Sequence, residues 1–454
     1  MDNHYRDRLS RQIPRGTWLA VSTPVARRVT TALCALAFAL SAAPAIAAEG
    51  SDAHAALERG GQAFQKGDFD AAKRAFESVI SAKPTSDDAE KAWVNLGVMA
   101  LTQNQWAEAL RCYDKATALK PSDTKAWNGK ATALLSLGRG EDAGKAFEAA
   151  LAANPRDTDT LDNLGKLALR NDEYEKAERF FHAALTANSG DSESHVGLAQ
   201  VALMKNDFHG AEVEAKLALK MVPDHPVALA TLGEALNETG DSAQAIDPLI
   251  KAIGIDSLRP ELHLQLARAF YNTGRFQDAG MALADAMDLT PEDPRVHLYS
   301  GLCYYRLKDP KNADTEFDHA LALGAAGHDK AMALYHKGLV RDDANRLDLA
   351  EDFYKQAEKA DPKYAQPANN LGLVMQETHR LPEAQLEFKR ALNADPDFDA
   401  ARLNLGHVLI MMGQPAAAKA ELEKLMSLPA ENEIRERAEG MLADIKQGSQ
   451  GQPH

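Results

Sequence analysis

One residue type recurs at a fixed interval along almost the whole chain. Alanine occupies eleven positions that are separated by 34 residues, with two intervals of 37: Ala72, Ala109, Ala143, Ala177, Ala211, Ala245, Ala279, Ala313, Ala350, Ala384 and Ala418. A period of this length indicates one supersecondary unit stacked many times, because each copy buries its apolar face against the next. We therefore expect an extended repeat array rather than a single central core.

Each repeat has the pattern of two helices in close contact. A second column of small residues precedes the alanines by twelve positions: Gly60, Gly97, Ala131, Gly165, Ala199, Gly233, Ala267, Gly301, Gly338, Gly372 and Gly406. Small residues on both sides let helix axes approach to about 8 to 10 Å. Rings such as Phe147 and Phe181 follow most alanines by four residues, and turn residues such as Gly138 separate the two columns. Each unit is predicted to be a helix hairpin.

Two consecutive units carry most of a family consensus. The matching residues are Trp93, Leu96, Gly97, Ala100, Ala109, Tyr113, Ala116 and Pro121, followed by Trp127, Ala131, Leu134, Ala143, Phe147, Ala150 and Pro155. These units resemble the tetratricopeptide repeat (TPR) family. The resemblance implies an all-α fold, an α-solenoid in which about eleven helix hairpins form a right-handed superhelix, with the first helix of each pair on the concave side.

The pattern also predicts the ends of the array and some local departures. The repeats are expected within residues 48–430, followed by a capping helix at 431–446 and a disordered tail at 447–454. Lys337 stands where the family usually has Leu. Pro248 falls inside a predicted second helix, where proline costs about 3 kcal/mol or produces a kink.

The N-terminus has the pattern of an export signal. Arg27 and Arg28 precede an uncharged run from 29 to 48 that ends in Ala45-Ile46-Ala47. A basic stretch, an apolar run and a small-x-small step are typical of a secretory signal peptide. We predict a signal peptide at 1–47, cleavage near Ala47 or Ala48, and a periplasmic or secreted bacterial protein. Because about 20 apolar residues can span a bilayer, retention as a membrane anchor remains an alternative.

Charge and motifs argue against several classes of function. The formal net charge of −15 repels phosphate backbones, so no nucleic-acid partner is expected. His195, His263 and His297 share one repeat position. Adjacent copies should lie about 10 Å apart, too far to share a metal, so we interpret these histidines as helix-junction residues. No catalytic motif is apparent, and the sequence predicts a non-enzymatic protein without metal or cofactor.

The family register assigns candidate partner-binding residues to the groove. Repeats seven to nine place an apolar and aromatic cluster there: Leu264, Tyr271, Leu298, Tyr299, Leu302, Tyr305, Tyr335 and Leu339. Charged residues could form its rim: Arg268, Arg306, Asp342 and Asp343. Exposed aromatic surface is typical of interaction sites, so we predict capture of an extended or helical protein segment. The alternative is that several of these side chains pack against the neighbouring repeat.

Four asparagines share one position in their units: Asn95, Asn163, Asn370 and Asn404. The family resemblance implies that an Asn here contacts the main chain of a bound peptide. The alternative is that these amides form hydrogen bonds within the stack.

The sequence therefore favours an exported protein-protein interaction scaffold that binds a partner in its concave groove. Three alternatives remain. The chain could be an accessory subunit of an envelope machine for secretion, exopolysaccharide export or outer-membrane assembly. It could also be a self-assembling structural protein, or an accessory domain for a catalytic partner on a separate chain.

Overall fold

In the computed structural model, residues 51–427 and 432–450 are described, and every regular element in them is an α-helix. The helices are α1 Ser51–Gln65, α2 Phe69–Ala82, α3 Asp87–Thr102, α4 Trp106–Leu119, α5 Thr124–Ser136, α6 Gly140–Ala153, α7 Thr158–Arg170, α8 Tyr174–Ala187, α9 Ser192–Met204, α10 Phe208–Met221, α11 Pro226–Glu238, α12 Ser242–Ile255, α13 Pro260–Asn272, α14 Phe276–Leu289, α15 Pro294–Arg306, α16 Pro310–Ala322, α17 Gly327–Asp343, α18 Leu347–Ala360, α19 Ala365–Glu377, α20 Leu381–Ala394, α21 Asp399–Met411, α22 Pro415–Ser427 and α23 Asn432–Gln450. The helices follow one another in consecutive hairpin pairs, with α23 after the eleventh. The predicted all-α solenoid of helix hairpins is confirmed.

The described chain divides into two compact units. Helices α1 to α11 lie in the first, which ends at Thr239, and α12 to α23 lie in the second, which begins at Gly240. Within each unit, the second helix of a repeat packs on its own first helix and on the first helix of the next repeat. The predicted signal peptide lies outside the described residues. None of the described helices combines the length and apolar character needed to span a membrane.

The hairpins form because turn residues and helix caps agree with the repeat period. Gly138 and Gly274 adopt φ of 74° and 75° between paired helices, and Asn104 adopts 58° at the same place in its repeat. These residue types tolerate the left-handed region that a tight helix ending requires. The Asp157 side chain accepts a hydrogen bond from the Thr160 amide at the start of α7.

The two small columns hold the paired helices together around buried rings. Phe181 and Phe317 are fully buried. A Cβ added at Gly165 would lie 2.6 Å from the Phe181 ring, and one at Gly301 would lie 2.6 Å from Phe317. Because no real Cβ approaches a ring so closely, the glycines are what allow large side chains into the hairpin.

The predicted departures are accommodated locally. Helix α12 continues through Pro248. Lys337 is 4% exposed, and its Nζ lies 2.6 Å from a carboxylate oxygen of Asp314. Helix α23 extends to Gln450, so the predicted end of the capping helix at 446 is four residues short. Ile445 packs against the hydrophobic cores of the last repeats. We attribute the extra helical turn to propagation of the helix from this packed residue.

Candidate partner-binding surface of repeats seven to nine

The first helices of repeats seven, eight and nine are α13, α15 and α17, and they carry all the apolar and aromatic candidates. Three of the predicted groove residues are core residues: Leu264, Leu298 and Leu302 are 5%, 0% and 1% exposed. Leu298 and Leu302 pack with Phe317. The prediction that these leucines face a partner is therefore corrected, because helical spacing places them beside the groove while all three are buried in the core of the array.

The tyrosines lie one layer further out. Tyr271, Tyr299, Tyr305 and Tyr335 are each half-buried, and we call them the tyrosine row. The first three pack on the core of repeat eight, and Tyr335 packs on the core of the following repeats. Because core residues hold the four rings in place, the tyrosine side chains lose little conformational entropy when a partner binds to them.

Cationic side chains lie beside the first half of the row. The rings of Tyr271 and Tyr299 meet edge to face with centroids 6.2 Å apart. Arg268 lies 5.9 Å from the Tyr299 centroid, and Arg306 lies 6.0 Å from that of Tyr271. These distances suit cation-π contacts, so the arginines border the aromatic surface as the sequence predicted.

Tyr305 and Tyr335 form the second half of the row, and hydrogen bonds and neighbouring rings hold them in place. The Tyr305 hydroxyl donates to the Asp343 carboxylate at 2.9 Å. His336 lies between Tyr305 and Tyr335, with ring centroids 5.8 and 5.1 Å away. Leu339 is half-buried and packs on the same core as Tyr335. The sequence interpretation missed His336, although it occupies the repeat position of Tyr299.

Burial fixes the protonation states of this surface. It raises the pKa of Tyr335 to about 12, and it also raises the pKa of Tyr305, whose bond to Asp343 acts in the same direction. Burial lowers the pKa of His336 to about 4. Tyr305, Tyr335 and His336 are therefore neutral at neutral pH, and the Tyr305 hydroxyl donates a hydrogen bond while that of Tyr335 accepts one from Asn370.

A cleft of about 530 Å³ opens beside Tyr305, between α16 and α17. Its lining consists of Tyr305, Lys308, Pro310, Lys311, Asp314, Thr315, Val340, Arg341, Asp343 and Ala344. Asp314 is already paired with Arg341 at 2.8 Å and with Lys337. Burial opposes ionisation of Asp314, but hydrogen bonds from those two cations hold its pKa below the usual value. We call this space the α16–α17 cleft.

The asparagine column is half-buried throughout: Asn95, Asn163, Asn370 and Asn404. Asn370 donates to the Tyr335 hydroxyl at 3.4 Å, and Asn404 donates to the Asn369 side-chain oxygen at 3.0 Å. Asn369 in turn donates to Asn370 at 3.1 Å. Asn370 and Asn404 therefore form hydrogen bonds within the stack, as the alternative interpretation expected. Their predicted role in binding a peptide main chain remains a prediction.

The histidine column makes local contacts that suit helix junctions: His195, His263 and His297. Nε2 of His263 and His297 each lie 3.0 Å from a backbone oxygen of the preceding turn. Nδ1 of His195 lies 2.6 Å from Glu214 on the paired helix. The interpretation as helix-junction histidines is confirmed.

The fold and this surface define an α-solenoid interaction module. Tetratricopeptide repeat models match residues 57–110, 94–158, 134–201, 264–328, 331–364 and 379–435, which together exceed half of the chain. The chain belongs to the tetratricopeptide repeat family. It is a protein-protein interaction scaffold, the typical role of such arrays, and the family fold is typically non-catalytic. Among curated protein sequences, none matches this chain.

Solved structures with similar helix arrays share little sequence with this chain. Yeast Tom70 is 18% identical, with a TM-score of 0.46 over 88% of this chain and 97% of its own. YrrB, described as a TPR protein with an unusual peptide-binding site, is 22% identical, with a TM-score of 0.38 over 43% of this chain and 98% of its own. Pseudomonas aeruginosa pilF is 18% identical, with a TM-score of 0.44 over 47% and 97%.

Proposed function

We propose that this scaffold works in the bacterial envelope and binds an extended or helical segment of a partner protein across the tyrosine row and the α16–α17 cleft. The observation that carries the proposal is the row itself: four half-buried tyrosines backed by core residues, with charged side chains at their edges. Tyrosine and arginine are the residue types that dominate binding energy at protein interfaces.

The charges around the cleft favour a partner segment that carries a carboxylate. Lys308 and Lys311 line the cleft next to Tyr305. The lining also holds Arg341 and two carboxylates, Asp343 and Asp314, so three cations and two anions give the cleft a net charge of +1. We therefore expect an aromatic or aliphatic anchor on the tyrosine row, followed by an acidic residue at the cleft.

The envelope location rests on the N-terminal sequence. The basic residues, the uncharged run and the Ala45-Ile46-Ala47 step are typical of exported bacterial proteins. Fractionation of cells that produce the full chain tests this part separately. The mature protein should appear in the periplasmic or extracellular fraction with a new N-terminus near Ala48, and recovery from the cytoplasm with an intact N-terminus would contradict it.

The binding surface is tested by affinity capture from the envelope fraction of the source organism, followed by mass spectrometry. The bait is the mature chain, compared with a Tyr299→Ala/Tyr305→Ala variant and a Tyr304→Ala control. Tyr304 is exposed on the same helix. We expect a partner retained by the wild type and the control and depleted at least tenfold by the double variant. Circular dichroism should show equal helicity for all three.

Equal recovery of every protein by the wild type and the double variant would contradict this surface. Light scattering of the mature chain at increasing concentration distinguishes self-association. A molar mass that rises with concentration, and falls in the double variant, would identify a second copy as the occupant of the surface.

A further inference from the structure

Repeat eight contains a cluster of potential metal ligands outside the tyrosine row. His297 lies on α15, while Glu316 and His319 lie one turn apart on the facing helix α16. One ligand atom from each residue lies within 4.8 Å of the other two. The His297 and His319 rings are nearly perpendicular, with centroids 5.3 Å apart. Within the described part of the chain, this is the group of three His, Cys, Asp or Glu side chains that meets this criterion.

The hydrogen bonds of His297 leave its second nitrogen aimed at a carboxylate. Nε2 lies 3.0 Å from the Pro291 carbonyl oxygen. Because a carbonyl can only accept, Nε2 carries the proton of the neutral ring, and the lone pair is on Nδ1. Nδ1 lies 2.7 Å from Glu316 Oε2. Two lone pairs at this distance need a proton or a metal ion between them.

The backbone bond of His297 also matches how proteins orient a histidine that binds metal. Such a histidine usually donates its other N–H to a carboxylate or a backbone carbonyl, which fixes the tautomer and the ring plane. The Pro291 carbonyl does this for His297, which is itself buried. His319 is exposed, so an ion can reach the cluster from solvent.

Equivalent positions in other repeats show what is special about repeat eight. His195 faces Glu214 at 2.6 Å, and in repeat eleven Arg402 faces Glu421 at 3.0 Å. A nitrogen-bearing side chain beside a carboxylate therefore occurs at these two positions in repeats five, eight and eleven, and in repeat eleven it is a guanidinium. Repeat eight adds His319, a third ligand atom, at a position held by Leu217 and Lys424 in the other two repeats.

We propose that His297, Glu316 and His319 form a binding site for a divalent transition-metal ion, with Zn²⁺ as the best match. Two imidazole nitrogens and one carboxylate oxygen suit zinc, which takes ligands of these types at about 2.0 to 2.2 Å. Tetrahedral bonds of that length place ligand atoms about 3.4 Å apart, so Nδ1 and Oε2 separate by less than 1 Å. The fourth position is open to water or to a side chain of a partner.

The site joins the two helices that support the candidate surface. Helix α15 carries Tyr299 and Tyr305, and α16 forms one wall of the α16–α17 cleft. An ion held by both helices stabilises this hairpin, because binding to the folded state alone shifts the folding equilibrium towards that state.

The test uses the tag-free mature chain, freed of metal with a chelator and titrated with zinc chloride at pH 7.5 by isothermal calorimetry. The wild type should bind one zinc ion at this site. His319→Ala and Glu316→Gln should each weaken that binding at least tenfold. His209→Ala, at an exposed histidine of the first unit, is the matched control and should bind as the wild type does. His297→Ala is avoided because it also removes the bond to Pro291.

X-ray absorption of the zinc-loaded protein provides a second readout. Two imidazole ligands are expected in the wild type and one in His319→Ala. Zinc affinity and stoichiometry that are equal in the wild type and His319→Ala overturn the proposal. So does a wild type that binds no zinc.

Discussion

Repeats three and five and repeats eight and nine build the same hairpins but fill one groove position differently. In repeats three and five this position holds Gly129 and Gly197, where a Cβ would lie 2.3 Å from the ring of Tyr113 or Phe181 in the preceding repeat. In the later repeats the same position holds Tyr299 and His336. The comparison shows that in repeats three and five the ring of the preceding repeat occupies the space that a side chain at this position would need.

A ring in one repeat does not by itself exclude an aromatic side chain at this position in the next. Leu283 occupies the ring position that precedes Tyr299, and a leucine leaves room that Phe181 does not. His336 follows Phe317 and lies against its ring, with centroids 5.7 Å apart. The aromatic surface of repeats seven to nine is thus linked to the packing beneath it.

A second position separates the regions by polarity. Asn128 bonds to Thr160 at 2.8 Å, and Asp162 accepts a bond from Ser194 at 2.6 Å, so polar pairs join adjacent first helices in the earlier repeats. The same position holds Leu298 and Tyr335 later. At this position repeats three and four have polar side chains that form hydrogen bonds between adjacent first helices, while repeats eight and nine have Leu298 and Tyr335.

The largest expected effect comes from placing the tyrosine of repeat eight at the same position of repeat five. Gly197→Tyr should lower the free energy of unfolding by about 3 kcal/mol or more, because its Cβ enters the space of the Phe181 ring. Adding Phe181→Leu should recover at least about 1 kcal/mol. Urea unfolding followed by circular dichroism measures both. An equal loss with and without Phe181→Leu would show that the two positions are independent.

Buried charge gives the next contrast. Lys337 is 4% exposed and pairs with Asp314, whereas Lys130 at the same repeat position is 24% exposed and pairs with Asp114 at 2.8 Å. Asp314→Ala/Asp318→Ala should cost about 3 kcal/mol, because it removes both carboxylates that pair with the buried Lys337 ammonium, at 2.6 and 2.9 Å. Asp114→Ala should cost less than about 1 kcal/mol. Equal losses of stability on removing the partners of Lys337 and of Lys130, measured by thermal unfolding, would contradict this contrast.

The polar position of the earlier repeats predicts a pH dependence. Burial raises the pKa of Asp162 to about 8, and nearby Asp191 adds to the shift against the Ser194 bond. The folded state then binds more protons than the unfolded state between about pH 4 and 8, so stability falls as pH rises. Asp162→Asn should stabilise the protein by at least about 1 kcal/mol at pH 8 and change little at pH 4.

Leu298→Asn at the same repeat position is the control for this titration. It should destabilise the protein similarly at both pH values, because an amide does not ionise and the site is fully buried. Denaturant unfolding at pH 4 and pH 8 compares the two variants. A pH-independent effect of Asp162→Asn would show that Asp162 stays ionised in the fold.

The smallest expected effect separates the Tyr305 ring from its hydroxyl. Tyr305→Phe removes the bond to Asp343, which is exposed, so it should cost less than about 1 kcal/mol of stability and leave partner capture unchanged. Tyr174→Phe in the earlier repeats removes a bond to Asp172, which is also exposed, and should have a similarly small effect on stability. Loss of capture with Tyr305→Phe would show that the hydroxyl contributes to recognition.

The sequence by itself determined the repeat, the hairpin and the buried columns. A period of 34 with two small columns fixes which faces of paired helices meet, and Gly301 and Phe317 meet as that pattern requires. This works because the information lies within one repeat and is copied along the chain. The repeat pattern also predicted that His297 makes local contacts at its helix junction.

Only the tertiary structure decided how deep each groove residue lies and which side chains meet across helices. Spacing assigns a face but not a burial depth, so Leu298 could not be separated from Tyr299 in advance. The bond between Asn404 and Asn369 and the meeting of His297 with Glu316 join residues 35 and 19 positions apart. Such contacts depend on packing geometry between helices, which a repeat pattern does not specify.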